Sequence, residues 1–215
     1  MSEHPIFARF YDRIMAGTEG AGLGELRREL LASAAGRVLE LGAGTGHNLE
    51  HYTEAVTELV ATEPDPHMAR RLRDRLAEDP ALSGHTSVVE AAAEDLPFDD
   101  CTFDTVVATL VLCTIEDPHR ALSEARRVLV EGGKLLYLEH VRSESPRLAR
   151  WQDRLERPWG FLGAGCHPNR DTGQQLADAG FWIDSLERGS LPKAPPIVRP
   201  LIRGVARRPS GVESD

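Results

Sequence analysis

Between Arg37 and Val141 the chain switches repeatedly between short apolar runs and longer stretches whose apolar residues recur every three or four positions. The apolar runs are 37–41 (RVLEL), 58–62 (ELVAT), 86–91, 103–112 (FDTVVATLVL) and 134–141 (KLLYLEHV). Runs this short with so few polar interruptions predict strands covered on both faces, as in a parallel sheet. The helical stretches are 25–35 (ELRRELLASAA), 66–78 (PHMARRLRDRLAE) and 118–129 (PHRALSEARRVL). In the second, Met68, Leu72 and Leu76 share one face, and Pro66 sits at an early helical position where its missing N–H costs nothing. Gly132 and Gly133 are expected to stop the third. Residues 47–52 predict a further helix start directly after the first strand. Phe7, Phe10, Tyr11, Ile14 and Met15 give residues 1–20 a partly amphipathic pattern, and 17–24 is glycine-rich.

Strand and helix alternating at this pace predict an α/β fold with a doubly wound, mostly parallel sheet. The last third changes character. A helix near 172–179 leads through Gly180 to FWIDSLERG, a proline-rich stretch and PLIRGVARR. Two strands without a helix between them predict an antiparallel ending, and the whole sheet then counts seven strands. A length of 215 residues suits a single compact domain.

Composition narrows the partners. The formal net charge of -9 disfavours a nucleic-acid backbone as main partner. Arg199, Arg203, Arg207 and Arg208 make the C-terminal region locally basic, which reads as a solvated tail or as a surface that permits peripheral membrane contact. Cys101, Cys113 and Cys166 are odd in number and form no CxxC pair, so neither a disulfide framework nor a metal site is expected. A reducing, cytoplasmic setting fits that usage. The N-terminus has charges scattered through it, unlike a signal peptide, and no apolar run reaches transmembrane length.

The stretch VLELGAGTG places Gly42, Gly44 and Gly46 at the end of the first strand. Ligands of open α/β sheets bind beyond the carboxyl ends of strands, and glycine lets the backbone press against them. The loop amides are expected to lead into a helix N-terminus, which favours negative groups. Dinucleotide enzymes want G-x-G-x-x-G, but position 47 is His, so the spacing opposes a nicotinamide oxidoreductase. The pattern present, Glu40 followed by G-x-G-x-G, resembles the first motif of class I S-adenosylmethionine (SAM) methyltransferases. Glu63 ends the second strand, where a carboxylate can accept from both hydroxyls of a ribose. The stretch AAAEDLPFDDCTFDTVV resembles the family's adenine-binding segment, although Ala92 stands where many members carry Asp.

The resemblance implies SAM as cofactor, a Rossmann-like methyltransferase fold, an N-terminal helical lid over residues 1–35 and a SAM-binding domain over 36–215. It assigns cofactor contacts to Tyr11, Glu40, Gly42, Ala43, Gly44, Gly46, Asn48, Glu63, Pro64, Met68, Glu94, Asp95, Leu96, Thr109 and Leu110. Three further stretches narrow it: TLVLCTIEDPHRALSEARRVLVEGGKLLYLEHV, PWGFLGAGCHPNRDTGQQLADAGF and PPIVRPLIRGVARR. Together they resemble the animal thiol methyltransferases of the methyltransferase-like group, which methylate small alkyl thiols. The bacterial quinone and phosphatidylethanolamine methyltransferases are similar at greater distance. The animal relatives begin with a hydrophobic membrane-anchoring segment, whereas this chain begins HPIFARFYDRIM after its first three residues.

Methyl transfer from a sulfonium needs alignment more than it needs a triad or a metal, and a thiol acceptor attacks as thiolate. His140, at the carboxyl end of the fifth strand, is the first candidate base, with a structural hydrogen bond as the alternative. Asp95 is the second, and it alternatively touches adenine or caps a turn. Glu139 points the other way along the strand. Cys113 reads as a buried apolar residue. Cys166 and His167 read as a loop lining the acceptor cavity. Trp151, Trp159 and Phe161 read either as an apolar lid or as core. The expected acceptor is a small apolar molecule, an alkyl thiol first, with a quinol, phenol or lipid amine as alternatives. A SAM-binding protein without turnover is the alternative of another class.

Overall fold

The computed structural model describes residues 12–13, 15–163 and 165–211, with the side chains of residues 81, 82 and 162 left aside. Seven strands form one sheet: β1 Gly36–Leu41, β2 Val56–Thr62, β3 Thr86–Val89, β4 Phe103–Thr109, β5 Leu129–His140, β6 Trp182–Ser190 and β7 Pro200–Arg207. Their spatial order is β3-β2-β1-β4-β5-β7-β6. The pairings among β1 to β5 are parallel. β7 runs antiparallel to both β5 and β6.

Among the described residues, the α-helices of seven or more residues are α1 Gly24–Leu31, α2 Pro66–Glu78, α3 Pro118–Val128, α4 Pro146–Leu162 and α5 Thr172–Asp178. Side chains alternate across each strand, so the apolar runs feed two cores. On one face Leu39, Val106, Leu135 and Tyr137 pack with Ala121, Leu122 and Ala125 of α3 and Leu176 of α5. On the other, Val38, Val107, Leu136 and Leu138 pack with Leu30 and Leu31 of α1 and Leu72 and Leu76 of α2. The caps follow the sequence. Asp65 accepts from the amides of His67 and Met68 ahead of α2, and Asp117 accepts from Arg120 ahead of α3.

Four expectations need correction. The glycine loop does not enter an α-helix, since only a single 3-10 turn, Leu49–His51, follows it. The chain from Gly42 to β2 is short, and Asn48 and Tyr52 turn inward to bond Glu40. The helix-dipole argument for this loop therefore falls. β4 ends at Thr109 rather than residue 112, because Leu110 takes a left-handed φ of 54°. The third helix is not stopped by the glycine pair, because Leu129 is already extended and begins β5. Gly133 instead allows a close approach within β5, where a Cβ would meet Val130 O at 2.8 Å. Finally, α4 occupies a stretch to which the apolar periodicity assigned no element. Trp151 is half exposed and Phe161 is 90% exposed, so neither belongs to the core.

Candidate active site

Period-two alternation sets the site before any ligand is considered. Glu40 at the end of β1, Thr109 at the end of β4 and His140 at the end of β5 share parity with Val38, Val107 and Leu138, which face α1. All three are buried at the carboxyl edge of the sheet.

The first group is a polar network under the glycine loop. Asn48 Nδ2 donates to Glu40 Oε1 at 2.9 Å and to Thr109 Oγ1 at 2.8 Å. Tyr52 Oη donates to Glu40 Oε2 at 2.8 Å. Arg27 of α1, 3% exposed, donates from Nη1 to Asn48 Oδ1 at 2.8 Å and to Thr109 Oγ1 at 3.0 Å. Its Nε reaches Glu19 Oε1 at 3.1 Å. Burial pushes the Glu40 carboxyl up to about 7, against the pull of Tyr52, Asn48 and Arg27. Sequence reading misses Tyr52 and, above all, Arg27. The signal of Arg27 is faint: an arginine on a helix whose neighbours Leu30 and Leu31 are core, while Arg28 pairs with Glu25 on the exposed side.

The second group is the glycine loop itself. Gly42, Gly44 and Gly46 have φ of 56°, 59° and 86°. A Cβ on Gly42 would lie 2.3 Å from Val111 Cγ2, and one on Gly46 would lie 2.7 Å from both Leu49 and Leu72. Glu63 at the end of β2 accepts the Gly44 amide at Oε2 (2.8 Å) and the Asp65 amide at Oε1 (2.9 Å). Each oxygen keeps a lone pair for a further donor. Burial raises its pKa, and the two backbone bonds oppose that rise. Ala43 within this loop and Met68 of α2 are buried, and Pro64 is partly so. Asp12 closes over the same loop, accepting from Thr45 Oγ1 and Arg71 Nη2, each at 2.5 Å.

The adenine-side candidates are arranged differently. Glu94 Oε1 accepts the amides of Glu116 at 3.1 Å and Asp117 at 3.3 Å. The buried Leu96 donates its amide to Glu124 Oε2 at 2.9 Å. Asp95 is 89% exposed at its side chain and 3.9 Å from Arg120 Nη2, apart from the buried groups. Leu110 donates its amide to Leu138 O. Tyr11 lies outside the described residues.

The third group surrounds His140. Its Nε2 is 3.0 Å from Cys166 Sγ, and its buried Nδ1 has no hydrogen-bond partner among the described residues. Cys113 Sγ completes a cluster whose donor atoms all lie within 4.8 Å of one another. Trp159 Nε1 donates to Cys166 Sγ at 3.2 Å. The neighbouring Cys113 thiol lowers the Cys166 pKa, with His140 adding to the effect, while Cys113 itself is pushed up. Burial works against a charged His140, but its contact with Cys166 outweighs that and raises its pKa. Glu139 faces the opposite way, accepting the amides of Val111 (2.9 Å) and Leu112 (3.0 Å) and fixing the turn that carries Cys113. His167 pairs with Glu156 at 2.9 Å rather than with this cluster. The sequence separations of the two sulfurs and the imidazole match no metal motif, so only the fold brings them together.

The glycine cradle beside the buried carboxylate of Glu63 suits a ligand carrying ribose hydroxyls. A doubly wound sheet with an antiparallel β7 and this cradle defines a methyltransferase of the class that uses SAM. Residues 39–137 match the family described as methyltransferase domain. Human thiol S-methyltransferase TMT1B is 36% identical over 82% of this chain and 73% of its own length. Human thiol S-methyltransferase TMT1A is 32% identical over 93% of this chain and 82% of its own. A SAM-dependent methyltransferase of known structure from Thermotoga maritima superposes with a TM-score of 0.69 at 24% identity, covering 94% of this chain and 98% of that one. The chain belongs to the methyltransferase family that includes these relatives. It is a SAM-dependent methyltransferase.

Proposed function

We propose that the chain methylates a small, apolar alkyl thiol. One observation supports this above the others: the carboxyl edge of β4 and β5, where an acceptor belongs, brings two buried sulfurs and a buried imidazole together. The relatives named as thiol S-methyltransferases point the same way.

SAM supplies an activated methyl group on a sulfonium leaving group. The chain's part is alignment, for which positioning is worth up to about 7–11 kcal/mol. In this reading Gly42, Gly44 and Gly46 bring the backbone against the methyl donor, and Glu63 takes its ribose hydroxyls. Glu40, with Asn48, Thr109 and Arg27, holds the charged methionine end. Residues 1–35 act as a lid over the binding domain 36–215, a reading supported by Arg27 and Asp12 reaching the site from that segment. A free thiol has a pKa of about 8.5, so the site gains by favouring the thiolate. His140 is better placed for that than Asp95, which lies in solvent. The free cysteines Cys101, Cys113 and Cys166 support a cytoplasmic setting. Among the described residues no helix is long and apolar enough to cross a membrane.

The test is release of S-adenosylhomocysteine with an alkyl thiol, hydrogen sulfide, a catechol, a quinol and a phospholipid amine. Turnover with the alkyl thiol well above the others is expected. Turnover on another acceptor alone would sink the thiol reading, and tight SAM binding without turnover on any would favour a sensor.

A further inference from the structure

We propose that Cys113, His140 and Cys166 form a binding site for one soft divalent cation of the zinc class, with a fourth position open to a thiolate from outside the chain. The cation goes beyond the methylation reading, whereas the identity of the fourth ligand rests on it.

The donor set carries the argument. Two sulfurs and one imidazole nitrogen arrive from three separate elements, and all are buried. A tetrahedral ion with Zn–S near 2.3 Å and Zn–N near 2.0 Å sets its donors roughly 3.5–3.8 Å apart. The separations here, from 3.0 Å for His140 to Cys166 up to a limit of 4.8 Å, bracket that range. No carboxylate takes part in the cluster, which disfavours hard cations. Two thiolates neutralise a divalent ion, so the ion with its three protein donors places no net charge in the interior, and the single negative charge that an external thiolate adds is discharged when the methyl group arrives.

The backbone around the donors is already fixed. Glu139 accepts the amides of Val111 and Leu112, and Arg170 donates to Leu112 O, so the turn holding Cys113 is clamped from both sides. His140 is locked in β5 opposite Leu201 of β7. The His167 amide donates to Cys113 O at 2.8 Å, tying the two cysteine loops together. Trp159 Nε1 donates to Cys166 Sγ, the kind of outer contact that orients a metal ligand. Gly163 sits so close that a Cβ would lie 3.3 Å from Cys166 Cβ.

Three protein donors leave one tetrahedral position vacant, the arrangement of catalytic rather than structural zinc. A thiol bound there loses its proton to bulk solvent and becomes a thiolate at neutral pH. His140 then serves the acceptor through the ion rather than as a free base. The methyl group passes from the sulfonium to the bound sulfur, the S–CH3 bond of the donor breaks, and the neutral thioether leaves the ion.

Cobalt(II) is the probe. Protein reduced and stripped with a chelator under nitrogen is titrated with Co2+, and thiolate-to-cobalt charge transfer and ligand-field bands are read. One equivalent should generate both, and Zn2+ should bleach them. Cys113→Ser, Cys166→Ser and His140→Gln should each bind more weakly than the roughly 10–100-fold loss typical of an outer partner. Cys101→Ser should bind like wild type. Zn2+ should raise the melting temperature of wild type but not of Cys113→Ser, which reports on the site even where His140→Gln folds poorly. A small alkyl thiol should shift the charge-transfer band. No thiolate band, a band unchanged in all three variants, or a Cys113–Cys166 disulfide in protein isolated with zinc present would overturn the site. A cobalt spectrum indifferent to alkyl thiol would overturn the open position. Failure of every thiol in the turnover assay would sink the thiol reading while leaving the cobalt result intact.

Discussion

Arg27 and Thr109 meet at 3.0 Å, joining α1 to the carboxyl end of β4 across 82 residues of chain. The contact places a buried cation on the same polar network as Glu40 and Asn48. It couples the N-terminal segment to the edge of the sheet where ligands bind. Removing Arg27 leaves the oxygens of Asn48 and Thr109 without its donors in a buried setting.

Arg27→Ala should cost about 3–5 kcal/mol of stability, the range for breaking a buried charged pair. Arg27→Lys should recover only part of it, because an ammonium cannot reproduce the planar fork that reaches Glu19, Asn48 and Thr109 together. Urea denaturation measures the stability, and calorimetric titration with S-adenosylhomocysteine measures the parallel loss of affinity. Full recovery by Lys would show that charge alone matters.

Gly42→Ala should destabilise by about 1–3 kcal/mol through left-handed backbone strain and overpacking. The new Cβ would lie 2.3 Å from Val111 Cγ2 at a φ of 56°. Pairing it with Val111→Ala removes the clash but not the strain. The double variant should therefore melt higher than the sum of the two single losses predicts, while still falling short of wild type.

Glu63→Gln should weaken S-adenosylhomocysteine binding more than it weakens folding. The Gly44 and Asp65 amides can still bond the amide oxygen only one at a time. Losing a charged acceptor for a ligand hydroxyl costs about 1.5–3 kcal/mol, on the order of ten- to a hundredfold in Kd. Unchanged affinity would remove Glu63 from the binding site.

Glu139 makes stability depend on pH in the direction opposite to a salt-bridged acid. Burial raises its carboxyl from 4.5 to about 7, while the Leu112 and Val111 amides hold it from rising further. Between these values the folded chain binds more protons than the unfolded chain, so stability falls as pH rises from 4.5 and levels off above 7. The contribution is on the order of 1–3 kcal/mol. Glu139→Gln cannot titrate, so its stability relative to wild type should improve between pH 5 and pH 8, whatever the substitution costs at pH 5. Denaturation curves at the two pH values decide it, and a constant difference would place the Glu139 pKa near its ordinary value. Glu40, also raised to about 7, contributes to wild type and variant alike and cancels in the comparison.

What the sequence determined by itself is what short-range physics controls. Apolar runs and the Asp65 and Asp117 caps specify the strands and helices that build a doubly wound sheet. Gly42, Gly44 and Gly46 announce backbone that only glycine adopts cheaply, and Glu63 falls at a strand end because strand length and parity place it there. Helix α4 escaped because its exposed face carries Trp151 and Phe161, so hydrophobicity does not mark which side is buried. The tertiary structure alone decided which side chains meet. Arg27 looks like one more arginine until α1 lies across β4, and the cysteines look unrelated until the turn after β4, the end of β5 and the loop after α4 converge. Those encounters depend on sheet order and on the packing of distant segments, quantities that no local pattern of residues encodes.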